Sequence, residues 1–354
     1  MLGIKSKTLL FPYWAVLAVR NFLFDKRIKK SIKFDIPVIS VGNITVGGTG
    51  KTPHTEMLVR MLKDDFKLGV VSRGYKRKSR GYRVVNTSDD FGVTGDEPLQ
   101  IKRKFPTVNV AVCKNRITAI RRLIEDYGVN MVILDDAFQY RDITPSHNIL
   151  LVSYYNTIAG DNLLPIGSLR DLPSQIMRAD IVIVSKSPDF GDYDGGENLE
   201  MAEDAVAKEE IRWRKELQLR PEQKIYFSTV SYLDAQPVFP ESADTRYLYS
   251  KFALLFSGIA NDTDIRRQLV GCYRIVDSLK FKDHKNYTNF DIKEIAAMGR
   301  RQPAAVIITT EKDSVRLLNK KSMPEEVKNR LFYLPIEVKL IPPAKMAEFK
   351  RVIV

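Results

Sequence analysis

Between the apolar run IPVISV (36–41) and a helical pattern from Lys51 lies a glycine-rich turn, so that residues 41–52 read VGNITVGGTGKT. A loop of this kind at a helix start offers backbone N–H groups and the positive helix end to phosphate; its Lys reaches the β/γ oxygens and its Ser/Thr hydroxyl reaches Mg²⁺. Lys51 and Thr52 fill those two positions, and Gly47, Gly48 and Gly50 let the backbone come close. One position departs from G-x-x-x-x-G-K-[ST]: Thr45 stands where the first glycine would be. A second apolar stretch, MVILDD (131–136), ends in two carboxylates, of which Asp135 or Asp136 is placed to hold Mg²⁺ directly or through water. Each feature alone has an ordinary reading as a turn or a strand cap. Together they are the two halves of a nucleotide phosphate site.

Two further constellations carry titratable groups. In GDEP (95–98), Asp96 and Glu97 follow a glycine and open a helical pattern, which is good N-cap chemistry in its own right. In FKDHKNYT (281–288), His284 is flanked by a carboxylate and followed by an aromatic residue. A carboxylate oriented by a histidine suits removal of a proton from a sugar hydroxyl.

The elements that must position these groups are legible as apolar runs. Those at 36–41, 68–71, 108–112, 129–134, 149–152 and 180–184 alternate with helical patterns, notably 114–127, which predicts βαβ units and a mainly parallel sheet. Residues 189–222 break the rhythm with the turn cluster DYDGGEN and a charged helix over 198–219, read as an insertion or solvated linker. Strands over 225–239, 252–259, 273–281, 304–310 and 331–341 then predict a smaller second α/β unit. The expected division is an N-terminal segment at 1–35, a P-loop domain at 36–188, the insertion at 189–222 and a cleft-closing domain at 223–354.

Composition narrows the chemistry. The 354 residues carry a net charge of +13, with 2 Cys and 3 His, so neither a disulfide framework nor a Cys/His transition-metal site is available. Residues 1–35 hold eight basic residues against Asp25 and Asp35, surrounding LLFPYWAVLAVRNFLF (9–24). That run is short of the ~20 apolar residues a membrane span requires and is interrupted by Arg20. It reads as an amphipathic helix that either packs on its own domain or lies in a membrane interface, with Tyr13 and Trp14 at headgroup depth and Lys/Arg on anionic lipid. The stretch SRGYKRKSRGYR (72–83), with six basic residues and no acidic one, is a solvated face or an acceptor-facing loop.

In order along the chain, VGNITVGGTGKTP, SRGY, GDEP, LDDAFQYRD (134–142), LPIGSLRD (164–171), FKDHKNYT and TEKDSVRL (310–317) resemble the tetraacyldisaccharide 4′-kinases, the P-loop kinases of lipid A synthesis. Thr45 fits that family, whose loop also lacks the first glycine. Ala137, Tyr140 and Lys285 depart from it, standing where Gly, His and a second His are usual. The resemblance implies a P-loop fold and transfer of the ATP γ-phosphoryl group to the 4′-hydroxyl of a tetraacylated glucosamine disaccharide 1-phosphate. It implies ATP held by the loop from Thr45 and Val46 through Gly47, Gly48, Thr49 and Gly50 to Lys51 and Thr52, and Mg²⁺ on Thr52 and Asp135. Asp96 would be the base, with His284, Lys51 and Asp136 as further catalytic groups and Glu97, Arg116, Gln139 and Arg170 along the acceptor cleft. A peripheral location on the cytoplasmic face of the bacterial inner membrane follows, with the acylated sugar and the membrane surface as partners and no nucleic acid or obligate protein partner.

Two rivals share parts of this pattern. A deviant-Walker switch ATPase needs a second Lys before the Gly-Gly pair, where this chain has Val46. A nucleic-acid-binding NTPase is suggested only by the basic pI, near 9.5. TEKD (310–313) is weakly similar to base-reading loops of other P-loop proteins.

Overall fold

The computed structural model describes residues 7–190, 197–320 and 322–354. Helix α1 (Lys7–Asp25) leads into β1 (Val38–Gly42), α2 (Lys51–Leu62) and β2 (Leu68–Ser72). A short β3 (Arg83–Val84) and α3 (Phe91–Thr94) precede α4 (Asp96–Lys104), β4 (Asn109–Val112), α5 (Arg116–Tyr127) and β5 (Met131–Leu134). Next come β6 (His147–Ser153), β7 (Ile181–Ser185), α6 (Glu197–Leu217) and β8 (Lys224–Tyr232). Then follow β9 (Gln236–Pro237), β10 (Phe252–Ser257), α7 (Thr263–Val270), β11 (Arg274–Lys280), α8 (Asn289–Arg301) and β12 (Val306–Thr310). The chain closes with α9 (Glu311–Leu317), α10 (Glu325–Lys328), β13 (Leu331–Leu334), β14 (Ile336–Ile341) and α11 (Lys345–Ile353).

Nine strands form one sheet in the order β14-β8-β7-β6-β1-β5-β2-β4-β3. Every neighbouring pair is parallel except the two at the edges, β14 with β8 and β3 with β4. The inner strands are aliphatic on both faces because helices cover both faces. Val38, Val71 and Leu134 pack with Ala119, Ile120 and Leu123 of α5 on one side. Ile39, Val41, Val70 and Ile133 pack with Leu58 and Leu62 of α2 on the other. Asn115 caps α5 by accepting from Thr118 N at 3.2 Å, and Gly128 ends it in the left-handed region. The second sheet has the order β11-β10-β12-β13-β9, parallel except for β9.

The strands expected in the P-loop unit are present, and the partition at 223 needs correction. β8 and β14 belong to the nine-stranded sheet, so the second sheet draws on residues 236–334 only. Residues 331–341 are two strands in two sheets, separated at Pro335, which cannot donate to a ladder. The charged helix is no linker: α6 is the crossover between the parallel neighbours β7 and β8. Its buried Ala202, Val206, Trp213 and Leu217 recur at helical spacing under a charged outer face. Residues 192–196 of the turn cluster DYDGGEN (192–198) lie outside the described residues.

Helix α1 lies on the nine-stranded unit. Leu17 and Phe24 are buried, and Asn21 Nδ2 donates to Asp171 Oδ1 at 2.9 Å. Phe11, Val16, Val19 and Phe22 are more than half exposed. Tyr13 does not stand free for a headgroup: its hydroxyl donates to the Arg170 carbonyl at 3.3 Å, and Trp14 packs against the core. Among the described residues no helix is long and apolar enough to cross a membrane.

Candidate active site

The phosphate loop leaves the C-terminal end of the central strand β1 and enters α2 at Gly50, whose φ of 83° favours glycine. A Cβ at Gly48 would meet nothing within 4 Å, so the backbone there is open to a ligand. Asn43 staples the loop from inside: its Nδ2 donates to Thr49 Oγ1 at 2.7 Å and to Thr45 Oγ1 at 3.3 Å. The LPIGSLRD segment braces it from outside, with Val46 N donating to Ser168 O at 2.7 Å and Thr45 bridged to Leu169. That bridge explains the missing glycine, because position 45 is held extended and has no positive φ to accommodate.

His54, one turn into α2, anchors the loop to the sheet. Its ring nitrogens lie 2.7 Å from Gly50 O and 2.8 Å from Ser228 Oγ on β8. Burial pushes its pKa down to about 4, against the opposing pull of the Gly50 carbonyl. An unfolded His takes its proton near pH 6.5, so this contribution is complete above that pH and is lost as pH falls toward 4. It amounts to ~3 kcal/mol. His54→Gln should therefore flatten the dependence of thermal stability on pH between 4 and 6.5. An unchanged slope would show that the imidazole is not held neutral.

At the end of β5 the two aspartates part company. Asp136 has φ 47°, a region Asp tolerates better than most residues, and its carboxylate forms a two-armed pair with Arg170, one arm at 3.2 Å. Lys51 Nζ lies 4.0 Å from Asp136 Oδ1 and 3.5 Å from Asn43 Oδ1. Asp135 is buried, accepts from Thr55 Oγ1 at 3.1 Å, and leaves Oδ2 with no hydrogen-bond partner. Burial, then the charges of Glu97 and Asp136, push its pKa up to about 7. A buried carboxylate with an orphaned oxygen close to a phosphate loop is short of a cation, and Thr52 and Asp135 together fit Mg²⁺.

Arg116 and Gln139 were expected along the acceptor cleft, and here they support the site from beneath. The buried Arg116 guanidinium donates to the carbonyls of Asp135 at 3.0 Å and Asp136 at 2.7 Å, and stacks 4.9 Å over the Tyr140 ring. Gln139 donates to the Asn43 carbonyl and accepts from Arg20 of α1 at its own. Tyr140 OH accepts from Arg116 N at 3.2 Å, so the departure at 140 lies in this support layer. Lys285 pairs with Asp291 at 2.8 Å, inside the capping box of α8 and apart from Asp96.

Asp96 is the meeting point of the two units. Gly95, at φ 95° and ψ 152°, makes the turn that lets Asp96 open α4. The second unit supplies its partners from the loop that follows β11 and from α9, which follows β12 directly. His284, itself at φ 56°, places Nδ1 3.0 Å from Asp96 Oδ2, and Arg316 Nε donates to the same oxygen at 3.0 Å. Lys312 reaches Glu97 Oε1 at 3.2 Å and lies 3.3 Å from His284 Nε2. Tyr75 of SRGY meets the His284 ring edge-on at 5.4 Å. Burial raises the Asp96 pKa, but the His284 hydrogen bond, Lys312 and Arg316 outweigh it and hold the carboxyl well below the usual range. Asp96 is therefore ionised at every physiological pH.

Sequence reasoning paired Asp96 with His284 but passed over Asn43, Lys312 and Arg316. Its likeness of TEKD to a base-reading loop gives way to another placement: the segment is the capped start of α9, with Thr310 Oγ1 accepting from Asp313 N at 3.1 Å. The available signal was Lys312 and Arg316 four apart on one helix face, an unusual pair of cations beside buried apolar residues.

Comparison with known proteins gives the relatives of the chain. A family model described as tetraacyldisaccharide-1-P 4′-kinase matches residues 7–353. A tetraacyldisaccharide 4′-kinase of Phocaeicola vulgatus is 41% identical over 347 residues, covering 95% of this chain and 91% of the relative. One from Bacteroides thetaiotaomicron is 39% identical over 357 residues, covering 96% and 90%. A crystal structure of the Aquifex aeolicus enzyme LpxK, in complex with ATP, aligns with a TM-score of 0.73 at 26% identity, covering 98% of this chain and 99% of that one. A family model matched from residue 7 to residue 353 and relatives about 40% identical over nearly the whole chain show that the chain belongs to the tetraacyldisaccharide-1-P 4′-kinase family.

Proposed function

We propose that the chain transfers the γ-phosphoryl group of ATP to the 4′-hydroxyl of a tetraacyldisaccharide 1-phosphate. The observation that carries this reading is Asp96, a buried ionised carboxylate bound by His284 and Arg316 of the second unit, next in sequence to Glu97, whose charge acts on Asp135 at the end of β5. Phosphoryl transfer needs its reactants aligned and their charge neutralised, with little covalent help. Backbone N–H groups of Gly47, Gly48 and Gly50 would face the triphosphate, while Val46 N and Thr49 N are used to hold the loop itself, and Lys51 would reach the phosphate oxygens. Thr52 and Asp135 would hold Mg²⁺, which when bound would supply neutralisation of phosphate charge.

Asp96 accepts the hydrogen bond of the 4′-hydroxyl and aims its oxygen in line. In a loose transition state the attacking hydroxyl keeps its proton until the P–O bond is largely made. The proton is then strongly acidic, and a carboxylate of low basicity can take it. His284 and Arg316 fix the carboxylate orientation. Asp136 and Arg170 form the wall beside Lys51, where Arg170 is available to the anionic groups of acceptor or nucleotide.

Helix α1 brings the lipid to this site. It touches Gln139 and Arg170 through Arg20 and Tyr13 while Phe11, Val16, Val19 and Phe22 face outward. We place that stripe in the cytoplasmic leaflet of the inner membrane, beside the acyl chains of the acceptor. Replacing Phe11, Val19 and Phe22 by Ser should abolish co-sedimentation with anionic vesicles while leaving thermal stability within a few degrees, since none of the three is in the core. Retained sedimentation would make α1 a packing element only.

The function is tested with γ-³²P-labelled ATP, Mg²⁺ and the tetraacyldisaccharide 1-phosphate in mixed micelles. Label should move to the lipid and much less to the deacylated sugar. ATP hydrolysis without labelled lipid would refute the reading.

A further inference from the structure

Away from the phosphates and the Asp96 pocket, a buried ionic junction joins the three helices that carry the site. Lys104, the last residue of α4, donates to Glu56 Oε2 of α2 at 2.7 Å and pairs with Glu311 Oε1 of α9 at 2.9 Å. It donates a third time to Ile336 O, at the first residue of β14, at 3.1 Å. An ammonium has three N–H donors, and here each goes to a different element. The acceptors are tied as well: Gln100 Nε2 donates to Glu56 Oε1 at 2.7 Å, and Ile336 N to Glu311 Oε2 at 3.3 Å. Glu56 is 1% exposed and Glu311 9%.

The position of the junction gives it meaning. Glu56 lies one turn beyond Thr52 on α2, and Glu311 adjoins Lys312 and stands five residues before Arg316 on α9. Lys104 and Asp96 are opposite ends of one helix, roughly 12 Å apart at 1.5 Å per residue. Ile336 follows Pro335, where the chain returns from the second sheet to the first. Stability alone does not account for such a group, because apolar replacements of a buried ionic cluster are often neutral or stabilising. Directed donors do what an apolar contact cannot, which is to fix α2, α4, α9 and the returning strand at set angles.

We propose that Lys104, held by Glu56 and Glu311, is a positioning residue that sets the acceptor-side groups of α9 against Asp96 and in register with the phosphate loop. This deepens the kinase reading above and rests on it. Because Lys104→Met alone strands two buried carboxylates, the decisive variant is the charge-free triple replacement Glu56→Gln, Lys104→Met and Glu311→Gln. It should keep its Tm within a few degrees of the parent and bind a fluorescent ATP analogue within about twofold, yet lose about tenfold in kcat for lipid phosphorylation. In a His284→Ala background the same triple replacement should cost less than about threefold, since both act on the Asp96 pocket. A triple variant with parental kcat, or a tenfold loss retained in full without His284, would overturn the proposal. If the parent chain itself fails to phosphorylate the lipid, it is the kinase reading that falls.

Discussion

Lys51→Ala should lower kcat for lipid phosphorylation by at least about 10²–10³-fold, the loss typical of removing one preorganised charge-stabilising group. Its side chain is partly exposed and its nearest polar atoms are 3.5–4.0 Å away, so it contributes little to the fold. Circular dichroism and Tm should be near parental, and the loss should appear in single-turnover rates of label transfer. Thr52→Ala should behave similarly and shift the Mg²⁺ concentration needed for half-maximal rate, as should Asp135→Ala. Near-normal turnover in a folded Lys51→Ala protein would remove the phosphate loop from the mechanism.

Asp96→Ala should lower kcat by ~10²–10⁴-fold, the range for losing a general base, with little change in KM for ATP. Structure adds a complication. Asp96 neutralises Arg316, which is 1% exposed, and breaking a buried pair costs about 3–5 kcal/mol. Asp313, 2.8 Å from Arg316, keeps that guanidinium from standing alone. Asp96→Asn, close to isosteric, should preserve nucleotide binding and still lose the rate. The ionised state of Asp96 also fixes the pH behaviour. Its contribution to stability is present above about pH 4 and is lost only in strong acid, as the depressed pKa requires. Activity falling between pH 7 and 5 should therefore not be traced to Asp96.

The parallel sheet and phosphate loop were legible because short aliphatic runs, glycine punctuation and two terminal aspartates are local signals. The pairing of Asp96 with His284 was legible only through the order of motifs, since 188 residues separate them. What the sequence concealed was tertiary. Pro335 looks like one irregularity in a strand from 331 to 341, yet it marks the change of sheet. The charges on α6 masked the buried face formed by Ala202, Val206, Trp213 and Leu217. Arg116 and Gln139 have the chemistry of ligand-binding groups, and only the fold shows them donating to the backbone of residues 43, 135 and 136. Arg316 sits in a helix 220 residues from its partner, and no periodicity points from one to the other.

The second unit acts on catalysis through Asp96, and a double-mutant cycle with Asp96→Ala and His284→Ala measures that directly. His284→Ala should cost less than Asp96→Ala. The double variant should lose little more than Asp96→Ala alone, because a histidine that only orients a carboxylate has nothing to orient once it is gone. If the two losses multiply in full, His284 acts independently of Asp96, and the arrangement of base and orienting residue across the two units is wrong.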